Sequence, residues 1–144
     1  MCPWHFQMVC TVYLHVPYKP EPQQRHRHAR NGRTYDPCSG SKANFLQLCR
    51  RMAHPPGAEH FESALQCTLT LTFARPKSHR TAKGLLRKGV PERHIYKPDT
   101  DNLAKFIMDA LNGVYYKDDS QVYQLSVLKR YGDEDSVRVQ LDYD

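Results

Sequence analysis

Residues 64–73, ALQCTLTLTF, place an apolar side chain at every second position: Leu65, Cys67, Leu69, Leu71 and Phe73, with glutamine and threonine between them. A period of two belongs to a β-strand with one face buried, so the chain must supply a sheet and something apolar to cover one side of it. The cover is legible further along. Between Asp101 and Asn112, Leu103, Phe106, Ile107, Ala110 and Leu111 fall at i, i+3, i+4, i+7 and i+8, a single helical stripe, and Gly113 reads as the left-handed residue that ends it. A second helix is expected over residues 41–52, where Phe45, Leu46, Leu48, Cys49 and Met52 precede the stop signal HPPG.

Strands are expected at residues 8–16, ended by Pro17, and at 121–131 and 136–144 around a turn at 132–135, with a short extra strand near 114–116. The order β-α-β-α-β-β predicts an α+β domain of two layers, with helices on one face of a mixed or antiparallel sheet. The 144 residues suit one domain, and no internal repeat is present.

No run approaches the roughly 20 apolar residues that span a bilayer, and the N-terminal residues lack the basic region and cleavage site of a signal peptide. A cytoplasmic protein with no membrane partner is expected. The five cysteines, Cys2, Cys10, Cys38, Cys49 and Cys67, form no C-x-x-C pair and argue against a disulfide framework. His26 and His28 have no cysteine at zinc spacing.

The net charge of +6 is unevenly placed. Residues 19–33 are net +4, with Lys19, Arg25, Arg27, Arg30 and Arg33 against Glu21; residues 75–97 are net +7; residues 99–144 are net −5. The two basic segments contain Pro and Gly without apolar periodicity. They read as flexible arms suited to a phosphate backbone, with Arg25, Arg27, Arg30, Arg33, Lys77, Arg80, Lys83, Arg87, Lys88 and Lys97 as candidate DNA contacts. Either run alone could be a solvated loop. Two of them flanking an acidic cluster suit a protein that must hold a polyanion against its own carboxylates.

That cluster lies in KPDTDNLAKFIMDALNGVYYKDDSQV, residues 97–122. Pro98 keeps Lys97 extended, so Asp99 and Asp101 fall in the first turn of the helix, where a capping role is commonplace. Asp118 and Asp119 lie just past the helix, beside the strand that returns along it, so at least one of them is expected to come back towards the helix start, and in extended chain only one of the two can face a shared ion. Carboxylates gathered together repel unless a cation sits between them. Lys105, four residues after Asp101, could pair with it or contact a scissile phosphate. Hard oxygen donors without cysteine or clustered histidine select Mg²⁺, with Mn²⁺ as substitute. An EF-hand is excluded because its fifth and sixth positions would be Leu103 and Ala104. Carboxylates, a hard cation and basic arms together point to phosphodiester hydrolysis, with one or two ions activating water and stabilising the leaving oxygen.

The pattern D-x-D-N, a lysine three residues after the asparagine, D-A-L and D-D-x-Q-V resembles the signature of the RusA family of Holliday-junction resolvases. KPEPQQRHRHARNGRTYDP and LTFARPK are similar to the basic loop and second strand of phage-borne members, so the resemblance covers most of the chain from Met8 onward. It implies a Mg²⁺-dependent endonuclease that nicks four-way DNA junctions symmetrically as a homodimer, with Asp99, Asp101 and Asp119 as metal-binding catalytic acids, Asp118 as their less critical neighbour and Lys105 as catalytic lysine. Two-fold symmetry has a physical reason, since a junction presents two related scissile strands to subunits with one acidic cluster each. Residues 1–7 have no counterpart in the pattern, and QQRHRHAR stands where many members have K-x-R-P-R. The alternatives are a broader nuclease acting on flaps or forks, and a non-catalytic DNA-binding protein whose aspartates only cap a helix.

Overall fold

The computed structural model describes residues 10–144; the expected strand positions Met8 and Val9, and the extension 1–7, lie outside the described residues. The elements in chain order are β1 (Cys10–Val16), β2 (Arg27–His28), β3 (Thr34–Tyr35), α1 (Ser39–Met52), α2 (Ala58–Phe61), β4 (Leu65–Ala74), α3 (Thr100–Leu111), β5 (Val122–Gly132) and β6 (Ser136–Tyr143). The main sheet has four strands in the order β1-β6-β4-β5, and β2 and β3 form a separate two-stranded sheet. The fold is the expected α+β arrangement with a mixed sheet: β4 pairs antiparallel with β6 and parallel with β5, and β6 pairs antiparallel with β1.

The alternation of residues 64–73 does what a period of two demands. Leu65, Cys67, Leu69, Leu71 and Phe73 are buried, and so are Val137, Val139, Leu141 and Tyr143 of β6 and Val12, Leu14 and Val16 of β1 on the same side. Against this face α3 lays Leu103, Phe106, Ile107, Ala110 and Leu111, and α1 adds Phe45 and Cys49, all buried. Tyr18 joins the two helices, its ring 5.1 Å from Phe45 and 6.2 Å from Phe106. Burial pushes the thiols of Cys49 and Cys67 up to about 12. Cys10, Cys38, Cys49 and Cys67 are free cysteines.

Four local features differ from the sequence expectation, the first being the β2–β3 pair, formed where a flexible basic arm was expected. β5 and β6 do not pair with each other, because β4 lies between them. Residues 132–135 instead carry the chain across the end of β4, held by Arg75 N–H donating to Gly132 O (3.0 Å) and Ala74 N–H donating to the Asp135 carboxylate (2.8 Å). The strand expected near 114–116 is a tight turn with one isolated bridge between Asn112 and Tyr116. The apolar character that suggested a strand belongs to Tyr115 and Tyr116, which are buried and donate from their hydroxyls to Ala53 O and Met108 O. The short helix α2 carries no apolar periodicity by which it could be read. Gly113 is left-handed, φ +82°, as its place after α3 requires.

A polar tie fixes the start of α1. Lys42 Nζ lies 2.6 Å from Asp36 and 3.3 Å from Asp109 of α3. Burial alone would raise Asp36, but hydrogen bonds from Lys42, the Cys38 N–H and Gln23, with the nearby lysine charge, outweigh it and hold the carboxyl at about 2, below its ordinary 3.8. A folded-state value below the unfolded one contributes stability that is present above about pH 4 and is lost as pH falls towards about 2. Urea denaturation across that window should show stability falling on acidification, with a shallower fall in Asp36→Asn. Equal slopes would remove Asp36 from the account.

Candidate metal and nucleic-acid site

Parallel pairing of β4 with β5 requires a long crossover, and here it consists of the second basic segment followed by α3. The crossover sets the first turn of α3 beside the C-terminal half of β5. Asp99 occupies the N-cap position in extended conformation, yet its carboxylate makes no capping hydrogen bond. Asp101 sits in the first turn, and no ion pair joins it to Lys105 among the described residues. Both the ordinary cap and the i,i+4 pair are therefore unused. Asp99 and Asp101 share the wall of an open cleft of about 630 Å³ with Arg93, His94, Tyr96, Lys97 and Lys129.

Asp118 and Asp119 stand elsewhere. Asp118 opens the 3-10 turn Asp119–Gln121: its carboxylate accepts from the Ser120 hydroxyl, its main-chain carbonyl accepts from the Gln121 N–H (3.1 Å), and the Gln121 side-chain oxygen accepts from the Asp118 N–H (2.8 Å). The Ser120 hydrogen bond is the main reason its pKa lies below the ordinary carboxylate value. Asp119 lies close to Tyr116, whose hydroxyl reaches Met108 in the second half of α3. Burial first, and then the charges of Cys67 and Asp119, raise the Tyr116 hydroxyl.

Acidic groups thus occupy two stations along α3, a helix about 18 Å long, with exposed Lys105 on the same helix. Among the described residues no three His, Cys, Asp or Glu side chains converge on a point that could hold an ion. The donor set fits a hard divalent ion through Asp99 and Asp101 alone. Mg²⁺ commonly takes one or two carboxylates and completes its shell with water and substrate phosphate.

The basic segments both approach this cleft. The first is tied to α3 by the Gln23 N–H donating to Asn102 O (2.9 Å), and its far part folds into the β2–β3 hairpin, which carries Arg27. The second folds back on itself through an Arg80–Leu86 bridge and through Arg87 N–H donating to His79 O (2.9 Å). It is anchored by His94, whose ring stacks 4.1 Å from Phe73, and by Arg75 over the ring of Tyr131. Arg25, Arg27, Arg30, Arg33, Lys77, Lys83, Arg87, Lys88 and Lys97 are exposed, whereas Arg80 is half-buried and engaged with Asp133 (2.6 Å) and Gly84 O.

Sequence reasoning missed Lys129. It faces the helices from β5, level with buried Leu71 of β4, and its ammonium donates to the carbonyls of Tyr96 and Pro98. Burial lowers its pKa, with the Asp99 charge opposing. The available signal was its place in an alternating row with Leu125, Val127 and Tyr131, where a lysine breaks the local rule. His94 was missed as well; burial and then the Lys129 charge lower its pKa.

Residues 17–142 match the family described as Endodeoxyribonuclease RusA. The chain belongs to the RusA endodeoxyribonuclease family. A relative, the "Uncharacterized protein YqaN" of Bacillus subtilis (strain 168), is 44% identical over 72 residues, covering 50% of this chain. The chain matches about half of that relative's length, 46%. The RusA match spans both basic segments, the cleft and all four aspartates.

The two kinds of aspartate predict opposite stability effects. Asp118→Ala removes the acceptor of the Ser120 hydroxyl and should lower the thermal midpoint, while Asp99→Asn removes a charge that caps nothing and should leave the midpoint unchanged or raise it. A midpoint that falls as far for Asp99→Asn as for Asp118→Ala would return Asp99 to a capping role.

Proposed function

We propose that the protein is a Mg²⁺-dependent endodeoxyribonuclease, served also by Mn²⁺, that resolves four-way DNA junctions by symmetric nicking in recombination and repair. It works as a homodimer in the cytoplasm of a bacterial or phage-infected cell. The observation that carries this reading is the pair Asp99 and Asp101, side by side at the start of α3 with no intramolecular cap or ion pair, in a cleft rimmed by Arg93, Lys97 and Lys129. Carboxylates left open in this way stand ready for a cation that arrives with its substrate.

A divalent ion bound there supplies a water of lowered pKa and a counter-charge for the phosphate oxygens. The chain's own residues do the rest. Asp99 and Asp101 are the proposed ligands, and Lys105, one turn beyond Asp101, is the proposed contact to charge developing on the phosphate. Asp119, near the second half of α3, is the proposed third acid of the family pattern, and Asp118 its neighbour. The exposed arginines and lysines of both basic segments grip phosphates without reading bases, so selection of a junction rests on shape. Two copies are needed because each subunit presents one such cleft and a junction presents two scissile strands.

One observation favours a second reading. The lack of a three-ligand cluster among the described residues suits a DNA-binding protein without catalysis. Labelled four-way junction, fork, flap and duplex substrates, each with Mg²⁺ or with chelator, separate the readings. Cleavage of the junction in Mg²⁺ alone is expected, and Asp101→Asn should reduce it at least about a hundredfold, since even outer partners of a metal cost about 10–100-fold, while junction binding persists. Uncut junction at all metal concentrations would overturn the proposal, and equal cutting of forks and flaps would broaden it. Replacing Lys83 and Arg87 together should weaken binding to every DNA tested and flatten its salt dependence, by about one counterion per lost contact.

A further inference from the structure

The ammonium of Lys129 is placed where the fold has least use for it. Its side chain leaves β5 on the face that packs under the helices, in line with Val127 and Tyr131 and level with buried Leu71. An apolar residue there would extend the core. Lysine instead stands half-buried, with no ion pair among the described residues, and its three donors find two main-chain carbonyls, Tyr96 O and Pro98 O, at 2.5 Å each. Carbonyls of an exposed loop are ordinarily satisfied by water. Holding them with a partly desolvated cation costs free energy that stability alone does not return.

Those carbonyls flank Lys97 and immediately precede Asp99, and Lys129 lines the same cleft as Asp99 and Asp101. The strand is itself fastened to the loop a little upstream, where the Tyr131 N–H donates to Glu92 O (2.9 Å) and the His94 N–H to Lys129 O (3.4 Å). We infer that Lys129 is a positioning residue: by clamping the carbonyls of residues 96 and 98 from behind, it fixes the turn that delivers the Asp99 carboxylate into the cleft and leaves that carboxylate free for a divalent ion. Asp99 takes no hydrogen bond from the clamp, so order is gained without occupying the ligand.

The inference rests on the reading of Asp99 and Asp101 as the metal-binding pair, and its test includes a measurement that needs neither metal nor DNA. Wild type, Lys129→Met and Lys129→Arg are compared by thermal midpoint, by hydrogen exchange of the Leu103 amide, which donates to Asp99 O (3.2 Å) in the turn that the clamp holds, and by calorimetric titration with Mn²⁺ and with Mg²⁺. In Lys129→Met, exchange of the Leu103 amide should quicken and metal affinity fall at least about tenfold, the scale of losing a partner behind a ligand, with an unchanged or higher midpoint. Lys129→Arg, which keeps the donors, should recover part of both losses. Unchanged exchange in Lys129→Met overturns the inference, as does wild-type metal affinity in that variant. If Lys129→Met fails to fold, Lys129→Arg and Lys129→Gln decide: protection of the Leu103 amide must be greater in the arginine variant. Wild type that takes up neither ion sinks the metal reading, while the exchange data still judge the clamp.

Discussion

Everything in the molecule is located relative to the two ladders of β4. On one side the strand bonds antiparallel to β6, and on the other parallel to β5. The parallel ladder forces a crossover, since two parallel neighbours cannot be joined by a tight turn. The crossover carries the second basic segment and α3, and it sets the first turn of that helix at the end of the sheet where β4 and β5 finish. The acidic cleft is thus a product of strand direction. A β4 paired only antiparallel would leave Asp99 without the wall that β5 supplies.

What the sequence made legible was what depends on neighbours in the chain. The period of two in residues 64–73 and the stripe from Leu103 to Leu111 are local signals, and both elements lie where expected, within a residue or two. Gly113 was readable because its conformation is set by its own lack of a Cβ. The order of strands was not readable. Residues 132–135 are compatible with a hairpin, and only the insertion of β4, more than fifty residues earlier in the chain, decides that β5 and β6 stand apart. Tyr115 and Tyr116 misled for a related reason: their apolar character serves a turn buried under α1 and α3, where each hydroxyl finds a carbonyl.

The site divides in the same way. That Asp99 and Asp101 begin a helix was plain from Pro98 and the stripe, but whether they cap it depends on side-chain geometry, and they do not. Asp118 looked like their partner and is instead committed to its own turn through Ser120 and Gln121, a link of three residues that D-D-S-Q permits. Lys129 was hidden because charge on a strand is ordinarily read as an outward residue. Its inward direction follows from the register with Leu71, which only the fold provides.

The bond between Gln23 and Asn102 links the two halves of the surface. The Gln23 N–H donates to a carbonyl in the first turn of α3, while the Gln23 amide is buried and reaches Asp36. The loop that leads into the β2–β3 hairpin is therefore bolted to the helix end that bears Asp99 and Asp101. On the proposed function, a polymer held by that loop would pull through this hydrogen bond on the helix end that carries the two acids, and grip and chemistry would be mechanically in series.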